Sequence, residues 1–370
     1  MYRYCHVQGH DPSLHTQGTV PAKSIGHMRG KGPAKWGEAM QSCLAIFGML
    51  RGCKAYLPSE QSYLFMSVNS SLQKSELLPP LDPVAAKRWE RFAAQSPTAW
   101  LHDEVAKRMA QRLVLMRSQP THWAHWQPSL GGWTSQGIVS QQYPQALCTV
   151  VESEAPLLSQ ARQTLTPPWW NRWRSRVPKF ALSLYQPAQM VWANMGLHMQ
   201  ARPQALMAQW HGALAPEGFV MFSCLGPDTL RNLKEIYSQH GWPPAAHDFT
   251  DMHDWGDMLL EAGFAQPVMD MEHITLTYPS AEALLVELRT LGRNLHPHRF
   301  SGLRGKNWLA SLHQVLKKGL ISPQSSGRLQ LNFEIIYGHA FKAKAKAFPS
   351  ETAHISVQEL RSKLPSQRKE

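Results

Sequence analysis

The sequence predicts an α/β protein built on a mostly parallel sheet, and three observations carry that expectation. Short apolar runs alternate with helical patterns between Ala146 and Phe222, the order that crossover units between parallel strands require. Pro216-Glu217-Gly218 reads as a tight helix-to-strand turn ahead of an apolar run, which places that strand. No apolar run approaches the ~18 residues of a membrane-spanning helix; the longest candidate, Cys43 to Leu50, is short and is followed by Arg51.

Taken in order, Met1 to about Leu78 shows no sustained period, and Gly26, Gly30, Gly32 and Pro33 read as loop, so residues 1–78 are expected to be a poorly ordered extension. Met66 opens a polar stretch leading into the first helix; translation beginning there and a genuine N-terminal tail fit the pattern equally. Asp82 caps a predicted helix with Pro83 at its first position and Trp89, Phe92 and Ala93 at helical spacing. Val105, Met109, Leu113 and Met116 mark one face of a second helix. Then come a strand Ala146–Val151, a helix Pro156–Leu165, a strand Met190–Ala193, a helix Pro203–Leu214 and a strand Phe219–Phe222. Beyond them the pattern predicts helices Pro227–His240, His253–Ala262 and Ala281–Leu291, and strands Pro267–Tyr278 and Leu329–His339. The main domain is therefore expected over 79–342, with a basic, disordered tail over 343–370.

Composition narrows the function classes. The 370 residues carry a formal charge of +12, compatible with nucleic acid, a membrane surface or an acidic protein partner. Much of the excess sits near the ends, for example at Lys23, Arg29, Lys344 and Lys346, where solvated tails commonly carry it. Five cysteines, Cys5, Cys43, Cys53, Cys148 and Cys224, are widely spaced with no Cys-x-x-Cys pair, so free thiols and no metal site are expected. Arg3, His6 and Asp11 stand where a secretory signal would turn apolar, which favours a cytoplasmic protein.

In a parallel α/β sheet the ligand lies at the carboxyl ends of the strands, the first turn is glycine-rich, and an acid ending the second strand bonds a ribose. Gly131 and Gly132 supply such a turn, and Glu152 ends the predicted second strand ahead of Leu157, Leu158, Ala161 and Arg162; an acid there also suits the start of a helix through its dipole. The stretch from Tyr143 to Arg162 resembles S-adenosylmethionine methyltransferases. Further on, Asn194 after the next strand, Phe222 to Leu230, Phe249 to Asp257, Ala262 to Asp270, Leu291-Gly292-Arg293-Asn294 and Tyr337-Gly338-His339 are similar to the malonyl-acyl-carrier-protein O-methyltransferases of biotin synthesis. The resemblance runs from about Leu81 to Lys342.

That resemblance implies the class I methyltransferase fold, Rossmann-like, with a seven-stranded, mostly parallel sheet flanked by helices. It also implies S-adenosylmethionine as cofactor, held by Gly131, Gly132, Glu152 and Asn194, and the malonyl form of acyl carrier protein as partner. Arg293, Arg231, His253 and His339 are the candidates for holding the substrate carboxylate, and Arg299, Arg304 and Lys306 for docking the acidic carrier. This chain departs from the family at its first motif, where Ser129-Leu130-Gly131-Gly132-Trp133-Thr134-Ser135 lacks the preceding acid and puts an indole where a small residue is expected. Glu217 is the only carboxylate between Glu154 and Asp228, so no acid is expected at the adenine either. Two other readings follow: a degenerate homologue that binds or regulates without transferring methyl groups, and a basic nucleic-acid module suggested by charge and by Trp169, Trp170 and Trp173 among arginines.

Overall fold

A computed structural model of the chain describes residues 78–93, 95, 99–168, 170, 176–321 and 326–344. The expectations for residues 1–77 and for the tail from 345, and for Trp169, Arg172, Trp173 and Arg174, lie outside them. Cys148 and Cys224 are buried free thiols. No helix among the described residues is long and apolar enough to cross a membrane.

Two helices, α1 (Pro83–Ala93) and α2 (Trp100–Arg112), precede the sheet. Asp82 Oδ1 accepts from the N–H groups of Val84 and Ala85 at 2.9 and 3.1 Å, with Pro83 filling the first position where no donor is needed. The strands are β1 (His122–Trp126), β2 (Leu147–Val151), β3 (Lys179–Ala181), β4 (Ala188–Ala193), β5 (Leu214–Leu225), β6 (Phe264–Tyr278) and β7 (Leu329–Lys342). They form one seven-stranded sheet in the order β3-β2-β1-β4-β5-β7-β6. Pairings from β3 through β5 are parallel, and β7 runs antiparallel between β5 and β6. This is the expected class I methyltransferase arrangement.

The flanking helices are the single turn α3 (Pro128–Gly131), α4 (Thr134–Gln142), α5 (Ala155–Leu165), α6 (Pro203–Ala213), α7 (Arg231–Gln239), α8 (Met252–Glu261), α9 (Ala281–Leu291) and α10 (Lys306–Gly319). Central strands are buried on both faces, so Met190, Val191, Trp192, Phe219, Val220 and Met221 are almost wholly enclosed, as a covered parallel sheet requires. The edge strand β6 alternates instead. Its Asp270 and Glu272 take Arg112 and Arg108 of α2 at 2.6 and 2.7 Å, while Tyr337 donates to Glu272 at 2.7 Å. Charges on that edge discourage further strand pairing.

Three boundaries differ from expectation for local reasons. The Pro216-Glu217-Gly218 turn lies inside β5 as a bulge, with Glu217 at φ 65° and the register slipping between Ala188 and Met190. Helix α7 begins at Arg231 rather than Pro227, because Leu230 sits at φ 59° and donates its N–H to Asn332. β7 runs on to Lys342, whose ammonium donates to the carbonyls of His211 and Leu214.

Candidate functional site

The strand order reverses between β1 and β4, so the ligand-facing crevice opens at the carboxyl ends of those two strands. β1 leads into Gln127 at φ 47°, whose N–H donates to Val151 O at 2.8 Å and turns the chain into α3. A Cβ on Gly131 would lie 2.1 Å from the Asn194 carbonyl oxygen, so the turn reaches β4 only as glycine. Asn194 clamps it: Nδ2 donates to Gly131 O at 2.5 Å and to His102 O at 3.0 Å. Its Oδ1 accepts from Ser223 Oγ at 2.8 Å, and that hydroxyl in turn accepts from Met195 N. Asn194 is thus a buried strut across β1, β4 and β5.

Glu152 follows β2 and is 1% exposed. Its Oε1 accepts from Ser129 N at 3.0 Å and its Oε2 from Ser129 Oγ at 2.8 Å. Burial pushes its carboxyl up to about 7, against the lowering effect of the two serine hydrogen bonds, and Glu90 adds to the rise. A cavity of ≈480 Å³ opens beside it, lined by Trp126, Gln127, Glu152, Ser153 and Ser183. Trp133 is half-buried and packs against the main hydrophobic core. The residue against the Glu152 carboxylate is Ser129.

A second cavity of ≈130 Å³ lies beyond β5, walled by Leu225, Leu230, Leu233, Phe249, Leu288 and Phe333 among others, with Arg293 the only Lys or Arg among the described residues that line it. His198 and His247 also line it, 5% and 3% exposed. Their Nδ1 atoms accept from Leu225 N at 3.4 Å and Leu295 N at 3.3 Å, so the proton sits on Nε2. Burial holds both neutral, His247 at about 4 and His198 well below its ordinary value, with His247 and His102 also opposing charge on His198. A larger cavity of ≈1000 Å³ lies where strands begin, at His122, Leu147, Lys179 and Gln189, the end of the sheet away from the switch-point crevice.

No protein-family profile matches the chain. It is 32% identical over 264 residues to the malonyl-[acyl-carrier protein] O-methyltransferase of Laribacter hongkongensis, covering 69% of this chain and 86% of that protein. The enzyme of the same name from Nitrosospira multiformis is 32% identical over 298 residues, covering 74% of this chain and 94% of that protein. The one from Gallionella capsiferriformans is 33% identical over 258 residues, covering 66% and 85%. The chain belongs to the malonyl-[acyl-carrier protein] O-methyltransferase family.

Of the family residues expected at the cofactor, Gly131, Gly132, Glu152 and Asn194 come together around one turn at the switch point. Glu152 fits the ribose of S-adenosylmethionine, because both its oxygens already take a pair of donors, and the ≈480 Å³ cavity fits the base beside it. The acid that the family carries ahead of its glycine turn is absent here, and His125 near the end of β1 donates its Nδ1–H to Gln136 Oε1 at 3.0 Å. The residues therefore fit the nucleoside half of the cofactor. Arg293 lines the ≈130 Å³ cavity. The structure does not bring the other three carboxylate candidates there. Arg231 pairs with Asp228 at the surface, His253 is exposed and bonded to the Asp251 cap at 2.6 Å, and His339 pairs with Met221 midway down β5. Of the docking candidates, Arg299 donates to Asp82 at 2.7 Å, while Arg304 stacks on Phe300 and Trp308. Ser129, His102, His198 and His247 were not legible as site residues, since a single serine or histidine carries no spacing signal.

Proposed function

We propose that this chain transfers the methyl group of S-adenosylmethionine to the free carboxyl of a malonyl group on acyl carrier protein, a cytoplasmic step of biotin synthesis. The observation that carries this reading is the relationship over 86% of the length of an enzyme named for that reaction. A carboxylate with an ordinary pKa of ~4 is already a nucleophile at neutral pH, so no general base is required. When bound, the cofactor supplies an electrophilic methyl group on sulfonium. Glu152 would hold its ribose, with the Gly131-Gly132 turn beneath and Asn194 fixing that turn.

Arg293 supplies the cation for the substrate. Its Nη1 donates to the carbonyls of Arg289 and Gly292 and its guanidinium lies 5.1 Å from the Trp89 ring. Nε and Nη2 make no hydrogen bond among the described residues, leaving a fork edge for a carboxylate. Leu225, Leu233, Phe249 and Phe333 keep water from the opposite side, where positioning can supply ~7–11 kcal/mol of the barrier. His198 and His247 stay neutral and so do not compete with Arg293 for the anion.

The test is mass spectrometry of malonyl-acyl carrier protein incubated with the purified chain and S-adenosylmethionine. The expected product is the malonyl methyl ester. Arg293→Ala should lower kcat/KM by about ten- to a hundredfold, the loss of one charge-assisted hydrogen bond, while exposed Lys317→Ala leaves it unchanged. No ester from the unaltered chain would refute the reading.

A further inference from the structure

We propose that Ser129 is an internal occupant of the nucleoside subsite, holding Glu152 through an N–H and a hydroxyl as a vicinal diol would, so that a ribose enters only by displacing it. The inference rests on the cofactor reading above and concerns how this chain's own residues admit that cofactor. Two donors from one residue meet the two oxygens of one carboxylate, at 3.0 and 2.8 Å. A ribose presents the same demand with its adjacent hydroxyls.

Burial points the same way. Glu152 is 1% exposed and Ser129 6%, so with both serine donors in place the residue shows almost no free surface, although it lines the neighbouring cavity. Among the described residues Glu152 has no ion-pair partner. A buried acid without a counter-charge is a poor structural device, and its placement at the crevice is explained by a ligand that exchanges with Ser129.

The turn that carries Ser129 is built to move. α3 is a single turn, bounded by Gln127 at φ 47° and Gly132 at φ 94°. Its closing bonds are Leu130 N and Gly131 N to Gln127 O and Gly132 N to Pro128 O. One helical turn is marginal by itself, so withdrawing Ser129 disrupts few backbone bonds. Gly131, clamped by Asn194, stays as the anchor.

The experiment is calorimetric titration of the unaltered chain, Ser129→Gly and Ser129→Ala with S-adenosylhomocysteine, beside melting curves of each without ligand. Ser129→Gly should bind at least about tenfold more tightly than the unaltered chain, the value of one charge-assisted hydrogen bond no longer to be broken. Ser129→Ala, which like the glycine variant keeps the N–H and loses only the hydroxyl, should bind more tightly by a similar factor and serves if the glycine variant does not fold. Both should melt lower without ligand, because Glu152 loses a partner. A serine with a merely structural role would give lower melting and weaker binding together, and that result would overturn the proposal. Unchanged affinity in both variants would also overturn it while leaving the methyltransferase reading intact, provided the unaltered chain binds. No binding by any of the three would sink both.

Discussion

At Gly131 the fold and the site depend on the same missing methyl group. A Cβ there would meet the Asn194 carbonyl oxygen at 2.1 Å, and that oxygen belongs to the backbone at the end of β4, which cannot step aside. Gly131→Ala should therefore cost at least about 2 kcal/mol, by forcing the turn off Asn194. Gly137, inside α4, has nothing within 4 Å of its would-be Cβ. Gly137→Ala should instead stabilise by about 0.5–1 kcal/mol, through helix propensity and a less flexible unfolded chain. Urea unfolding of the two variants decides it: shifts of the same sign would show that the contact at Asn194 does not govern this turn.

At the scale of elements, α8 shows how little sequence can suffice. Asp251 accepts from His253 N at 2.8 Å, and Trp255, Met258 and Leu259 form its buried face. Asp251→Ala should lower stability by about 0.5–2 kcal/mol and Asp251→Asn by much less, since asparagine caps nearly as well; equal losses measured by urea midpoint would place the effect elsewhere. Helices of this kind were legible because cap, period and length agree. α9 matches its expected bounds, Ala281 to Leu291, behind the cap Ser280. β1 was not legible: His-Trp-Ala-His-Trp has no β-branched residue and no alternation, and only its place between β2 and β4 makes it a strand. α10 carries Leu312 and Leu316 on a buried face, yet its basic start reads equally well as loop. The cofactor turn was legible through Gly131 and Glu152. What fills the space against Glu152 was not, because Ser129 meets it across 23 residues of sequence and only the closing of β1 on β2 brings them together.

For the whole molecule, the buried histidines make folding depend on pH. His102, His125 and His247 are pushed down to about 4 by burial, and His198 is likewise held well below its ordinary value. In the unfolded chain each titrates near 6.5, so as pH falls below that value the unfolded state takes up protons that the native state refuses. Stability contributed by their neutral forms is complete above about 6.5 and is lost as pH falls toward 4. Glu152 opposes this. Its pKa is raised from 4.5 to about 7, so the native state holds an extra proton between those values and gains as pH falls through them. Four histidines outweigh one carboxyl, leaving a net uptake on unfolding of about three protons in the middle of the window, or roughly 4 kcal/mol per pH unit. That slope is comparable with the whole stability of an ordinary domain, ~5–15 kcal/mol. The melting temperature should therefore drop steeply between about pH 6.5 and 5 while varying little from 8 to 7. His125→Asn, whose amide can donate to Gln136 in place of Nδ1, should flatten the drop by about one proton. Circular dichroism melts across that range are the check, and a melting temperature level from pH 8 to 5 would show that these histidines accept protons inside the fold.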